Sequence, residues 1–125
     1  MEGTLQERSE EVLILDADPS AIEKVTLSIK RQIPTATVTA VNTIDEYQSR
    51  VAKEQFDVVI LDFALSGRQG LDLIHELKLW DHEPTVLVVS PSPEPRLVSD
   101  AYNAGCHRYL MREGHWVDEL GPAVR

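Results

Sequence analysis

Three polar side chains stand at the ends of apolar runs in this 125-residue chain. Val12-Leu13-Ile14-Leu15 runs into Asp16, Val58-Val59-Ile60-Leu61 into Asp62, and Val86-Leu87-Val88-Val89 into Ser90. None of these runs alternates, as expected of strands buried on both faces of a parallel sheet. Open sheets of that kind hold ligands outside the carboxyl ends of their strands, so polar groups there are placed to meet a ligand rather than to fill a core. If the three strands are parallel neighbours, two carboxylates and a hydroxyl converge on one pocket, and the chain is organised around Asp62.

The remaining elements fit such a sheet. Residues 1–10 lack periodicity and read as a flexible leader. Asp18-Pro19 is the pattern of an N-cap with proline at the first helical position, and Ile22, Val25, Ile29 and Ile33 continue as an apolar stripe that ends near Pro34. Thr37 to Val41 is a short strand rich in β-branched residues, and Thr43-Ile44-Asp45-Glu46 is a capping box opening a helix with Ile44, Tyr47 and Val51 inward. A loop from Asp62 to Gly70, given backbone freedom by Gly67 and Gly70, leads to a third helix with Leu73, Ile74, Leu77 and Trp80 inward. Pro91, Pro93 and Pro95 stiffen the connection after Ser90. Val98, Ala101 and Tyr102 mark a fourth helix stopped by Gly105, and a last short strand, Arg108 to Met111, leads to Arg112. Trp116, Val117, Leu120 and Val124 have helical spacing but Gly121-Pro122 interrupts them, so a fifth helix is either short and broken or, the preferred reading, begins near Pro122 and is truncated at Arg125. The alternation predicts a single α/β domain over residues 11–125, a doubly wound parallel sheet with helices on both faces.

Bulk properties narrow the function classes. A formal charge of −9, from 21 acidic and 12 basic residues, argues against a surface that neutralises phosphate backbones, so direct nucleic-acid binding is not expected. The lone Cys106 permits no internal disulfide, and His75, His82, His107 and His115 show no zinc spacing. No segment approaches the length of a membrane span and the first residues are acidic and polar, so a cytoplasmic location is expected.

With these residues in place, the chain resembles the receiver domain of two-component response regulators from about Glu11 onward. The likeness rests on an acid after strand one (Asp16), an acid after strand three (Asp62), a glycine eight residues on (Gly70), a hydroxyl after strand four (Ser90), and the stretch Gly105 to Arg112 with its Tyr109 and terminal base. The resemblance implies a flavodoxin-like sheet of order 2-1-3-4-5. It implies that Asp62 is a phosphoacceptor served by a histidine kinase or phosphotransfer protein. It also implies that Mg2+ is held by Asp16, Asp62 and the backbone oxygen of Ala64, that Ser90 and Tyr109 are switch residues, and that Arg112 pairs with the phosphoryl group. The implied partners are that donor and a downstream protein or attached output or sensor domain, with a homodimer through the face of helix four, strand five and helix five also compatible.

Two departures touch the chemistry. The family's acid pair is contiguous, so Ala17 falls on the acid that would touch the metal directly; Asp18 is an alternative ligand, but its expected work is capping the first helix. Arg112 stands in place of lysine, keeping the charge on a larger, planar fork. Glu113 replaces the usual proline, so no cis peptide is expected there. The rival reading is therefore a degenerate receiver, an interaction module independent of phosphorylation in which Arg112 bridges the acids. A remote rival takes Asp16-Ala17-Asp18 as the start of a phosphohydrolase, with Asp16 the nucleophile and Asp18 the acid/base. The bland readings are a strand-terminating Asp62, a solvated Asp16, a loop Ser90, a half-buried strand aromatic at Tyr109 and a surface base at Arg112.

Overall fold

The computed structural model describes residues 10–114 and 116–124. Strands β1 (Glu11–Leu15), β2 (Thr37–Val41), β3 (Val58–Asp62), β4 (Thr85–Ser90) and β5 (Arg108–Met111) form one parallel sheet in the order β2-β1-β3-β4-β5. Helices α1 (Pro19–Gln32), α2 (Ile44–Lys53), α3 (Gln69–Leu77), α4 (Pro95–Ala104) and α5 (Trp116–Ala123) cover both faces. This is the expected doubly wound 2-1-3-4-5 sheet.

Period two explains why the central runs carry no polar residue. Leu13, Leu15, Val59, Leu61, Val86 and Val88 pack with Tyr47, Leu73, Ile74, Leu77, Leu97 and Ala101 from α2, α3 and α4. Their sequence neighbours Val12, Ile14, Val58, Ile60, Leu87 and Val89 point the other way, onto Val25 and Ile29 of α1 and Trp116 and Leu120 of α5. The helix starts are set as the sequence predicts. Asp18 accepts the Ser20 N–H at 3.0 Å, and Thr43 accepts the Glu46 N–H at 3.1 Å. Gly105, at φ 123°, ends α4.

Three expectations change. The connection after β3 is not all loop, because Phe63–Ser66 forms a helical turn capped by Asp62 itself. Gly67 does take a positive φ of 57°, but Gly70 lies inside α3, and its missing side chain matters for space: a Cβ there would stand 2.4 Å from Phe63 Cε1. Trp80 packs against the core as expected, from just beyond the end of α3, and Tyr102 lies in α4 as expected, on its exposed side, while Leu97, Ala101 and Ala104 form the buried side. Finally, α5 begins at Trp116 rather than near Pro122, which sits inside the helix. Burial of Trp116, Leu120 and Val124, four residues apart, against the α1 side of the core outweighs the preference of Gly121-Pro122 to interrupt. The leader residues 1–9 and His115 lie outside the described residues.

At the outer edge of β5 the Tyr109 N–H donates to the Tyr102 hydroxyl at 3.0 Å. Among the described residues no helix is long and apolar enough to cross a membrane.

Candidate functional site

Register delivers the polar groups to one rim. Leu15 pairs with Leu61, so Asp16 and Asp62 leave adjacent strands at the same level. Asp62 faces Val89 on β4, one residue before Ser90, and Ser90 faces Met111 on β5, one residue before Arg112. The Arg112 N–H then donates to the Ser90 carbonyl at 2.8 Å, which extends the ladder by one bond and fixes where the arginine side chain starts.

Asp16 and Asp62 are both buried. Each receives a backbone N–H from two residues on: Asp18 N–H to Asp16 Oδ1 and Ala64 N–H to Asp62 Oδ1, both at 2.9 Å. Arg112 Nη2 makes a short ion pair with Asp16 Oδ2 and stands 3.9 Å from Asp62 Oδ1. The guanidinium also lies over the Trp116 ring, 5.2 Å from its centroid, within cation–π range. Its Nε is buried without a hydrogen-bond partner among the described residues. Burial pushes the Asp62 carboxyl above its ordinary range and the neighbouring Asp16 adds to the rise, while the Ala64 N–H and Arg112 oppose it. An open cleft of about 330 Å3, lined by Asp16, Ala17, Asp18, Asp62, Ala64 and Arg112 among others, gives access to the pair.

Ser90 and Tyr109 lie beside this cleft and do not line it. The Ser90 hydroxyl, buried, accepts the Ser92 N–H at 3.0 Å; the Tyr109 hydroxyl donates to the Ser92 carbonyl at 2.9 Å. The Tyr109 ring meets Phe63 edge to face at 6.1 Å, so Ser92 and Phe63 tie the two residues to the segment that follows Asp62. Asp18, as foreseen, is engaged at the start of α1. Phe63 against Tyr109, and the place of Trp116 under Arg112, have no counterpart in the sequence reading. An aromatic four residues after a base, able to lie under it, was the available signal for Trp116. Arg68, in the turn before α3, pairs with Asp100 on α4 at 2.5 Å. Cys106 is buried, and burial pushes its thiol up to about 11, as befits a packed residue rather than a nucleophile.

A family model described as the response regulator receiver domain matches residues 12–117. The chain belongs to that family. The receiver domain shares 30% identity over 81 residues with a protein described as the uncharacterized transcriptional regulatory protein YvfU of Bacillus subtilis; the match covers 65% of this chain and 40% of that relative. Among solved structures, a response regulator from Thermotoga maritima superposes with a TM-score of 0.78 at 17% identity, over 94% of this chain and 98% of its own. The signal receiver domain of an HD domain-containing protein from Pseudomonas fluorescens gives 0.79 at 22%, over 94% and 93%. A response regulator from Burkholderia pseudomallei, with a phosphorylated aspartic acid, calcium ion and citrate, gives 0.78 at 20%, over 94% and 67%. At these identities the structures report the fold.

Receiver domains typically bind Mg2+, a hard cation that takes oxygen ligands in near-octahedral geometry. The oxygens of this cleft do not fit it as arranged. Asp16 and Asp62 share one guanidinium, Ala17 has no donor, and Asp18 is committed to a backbone N–H. No group of three or more His, Cys, Asp and Glu side chains that could hold a metal gathers among the described residues. Every peptide bond described is trans, including the one into Glu113.

Proposed function

We propose that this receiver domain accepts a phosphoryl group on Asp62 from a phosphohistidine donor inside the cell and passes the change to a partner or an attached domain. An Asp62 carboxylate oxygen attacks phosphorus; the P–O bond forms as the P–N bond breaks, and the electron pair leaves with the donor imidazole nitrogen, which takes a proton from solvent. The observation that carries the reading is the uneven sharing of Arg112. The guanidinium leans on Asp16 and stands 3.9 Å off Asp62, so the carboxylate at the end of the central strand is oriented by the Ala64 N–H yet not sequestered. After transfer, Arg112 is one short movement from the phosphoryl oxygens, and its donor fork suits them.

Readout would run through Ser90 and Tyr109. A Ser90 hydroxyl turned toward the phosphoryl group gives up the Ser92 N–H, and Tyr109 is bound to the carbonyl of that same Ser92. Loop and aromatic therefore shift together. Mass spectrometry after acetyl-phosphate treatment tests the reading: the wild type gains one phosphoryl mass and Asp62→Asn gains none. Labelling that persists in Asp62→Asn refutes the choice of acid.

The short Arg112–Asp16 pair beside Ala17 favours a second reading, an interaction module that works without phosphorylation. A wild type that stays folded, takes no label and binds its partner equally well with and without the donor would establish it. Nothing observed favours the phosphohydrolase reading, since Asp18, its acid/base, is engaged by a backbone N–H group at the start of α1.

A further inference from the structure

We propose that Arg112 is the resident cation of this cleft and excludes a divalent one. The inference shares with the proposed function only the premise that Asp16 and Asp62 form one site; it is decided by metal binding and not by labelling.

One guanidinium nitrogen, Nη2, is paired with Asp16 and lies 3.9 Å from Asp62, so the positive charge already lies between their negative charges. That placement is held from two further directions. The backbone of Arg112 is anchored to the Ser90 carbonyl at 2.8 Å, and its guanidinium rests on the Trp116 ring at 5.2 Å. Ala17 brings no carboxylate of its own and Asp18 caps α1, so Asp16 and Asp62 are the two acids that face Arg112, and its single charge half compensates them. A dication entering the same oxygens must drive out a guanidinium from a pocket where only 20% of its side chain is exposed, or sit beside it at the cost of like-charge repulsion. The two cations are therefore mutually exclusive occupants of one pair of acids. Such a coupling is reciprocal and spans roughly 5–150-fold in typical proteins.

The test is a Mg2+ titration of the intact chain followed by amide NMR at Asp62 and Ala64, with Arg112→Gln alongside. The wild type is expected to show no saturable shift through the millimolar range. Arg112→Gln is expected to bind about tenfold or more tighter, a gain removed by adding Asp62→Asn. Equal affinity in wild type and Arg112→Gln overturns the proposal, and so does a gain that survives Asp62→Asn. Should the variant fail to fold, the wild type decides alone: saturable Mg2+ binding that leaves the Arg112 Nε–H and Trp116 signals unmoved overturns it, and absence of saturation supports it. Acetyl-phosphate labelling of Asp62 is scored separately, so a failed phosphoacceptor reading and a failed exclusion give different results.

Discussion

Replacing Arg112 by methionine keeps much of the side-chain length and removes the charge from between two acids. The Asp16 and Asp62 side chains are 5% and 6% exposed, so neither can recover its solvation in place, while the arginine is 20% exposed. Breaking a buried pair by deleting one partner costs on the order of 3–5 kcal/mol, and the partial opening of Arg112 puts this case near 2–3 kcal/mol. Loss of the contact with Trp116 adds about 0.5–1 kcal/mol. Arg112→Met should thus destabilise the fold by about 3 kcal/mol, which for a domain of this size lowers the melting temperature by roughly 10 °C. With Asp16→Asn already present, much of the penalty has no origin, and the same substitution should cost about 1 kcal/mol, a coupling of about 2 kcal/mol. Urea unfolding at pH 7 of the four members of this cycle, followed by circular dichroism, measures both numbers. A cost for Arg112→Met below about 1 kcal/mol, or an equal cost in both backgrounds, would refute the account of the cleft as a desolvated charge cluster.

Two further outcomes follow from the same geometry. Because the Asp62 carboxyl is raised in the fold, the folded chain holds its proton more firmly than the unfolded one, so ionised Asp62 penalises the fold above its folded pKa and the penalty fades as pH falls toward the unfolded value near 3.9. Asp62→Asn should therefore melt higher than wild type at pH 7, with the difference closing toward pH 4; a gain that grows on acidification would contradict the sign. Gly70→Ala should cost about 1–3 kcal/mol, since the new Cβ would stand 2.4 Å from Phe63 Cε1, and Phe63→Leu should recover part of it. Equal melting temperatures for wild type and Gly70→Ala would show that the ring gives way freely.

The sheet and the rim of the cleft were legible because their signals are local. Unbroken apolar runs ending in Asp16, Asp62 and Ser90 can arise from few arrangements other than central parallel strands, and each strand end names its own polar residue. What escaped depends on contacts between residues far apart or on competition between weak local preferences. Gly70 looked like a hinge because glycine usually signals backbone freedom, whereas its neighbour Phe63 needs the space. Pro122 looked like a helix start because propensity ignores the burial of Trp116 and Leu120. The alignment of Arg112 with Asp16 rather than with Asp62 is a matter of a few ångströms and has no sequence signature.

The phenol of Tyr102 has a consequence for self-association. Among the described residues the margin of β5 is a rim of the sheet with no neighbouring strand, and exposed rims of this kind template pairing with a second chain. By taking up the Tyr109 N–H, the hydroxyl occupies a donor that an incoming backbone would need. A single aromatic on the adjoining helix thus closes one backbone donor of that margin, on a strand that also carries the charge of Arg108.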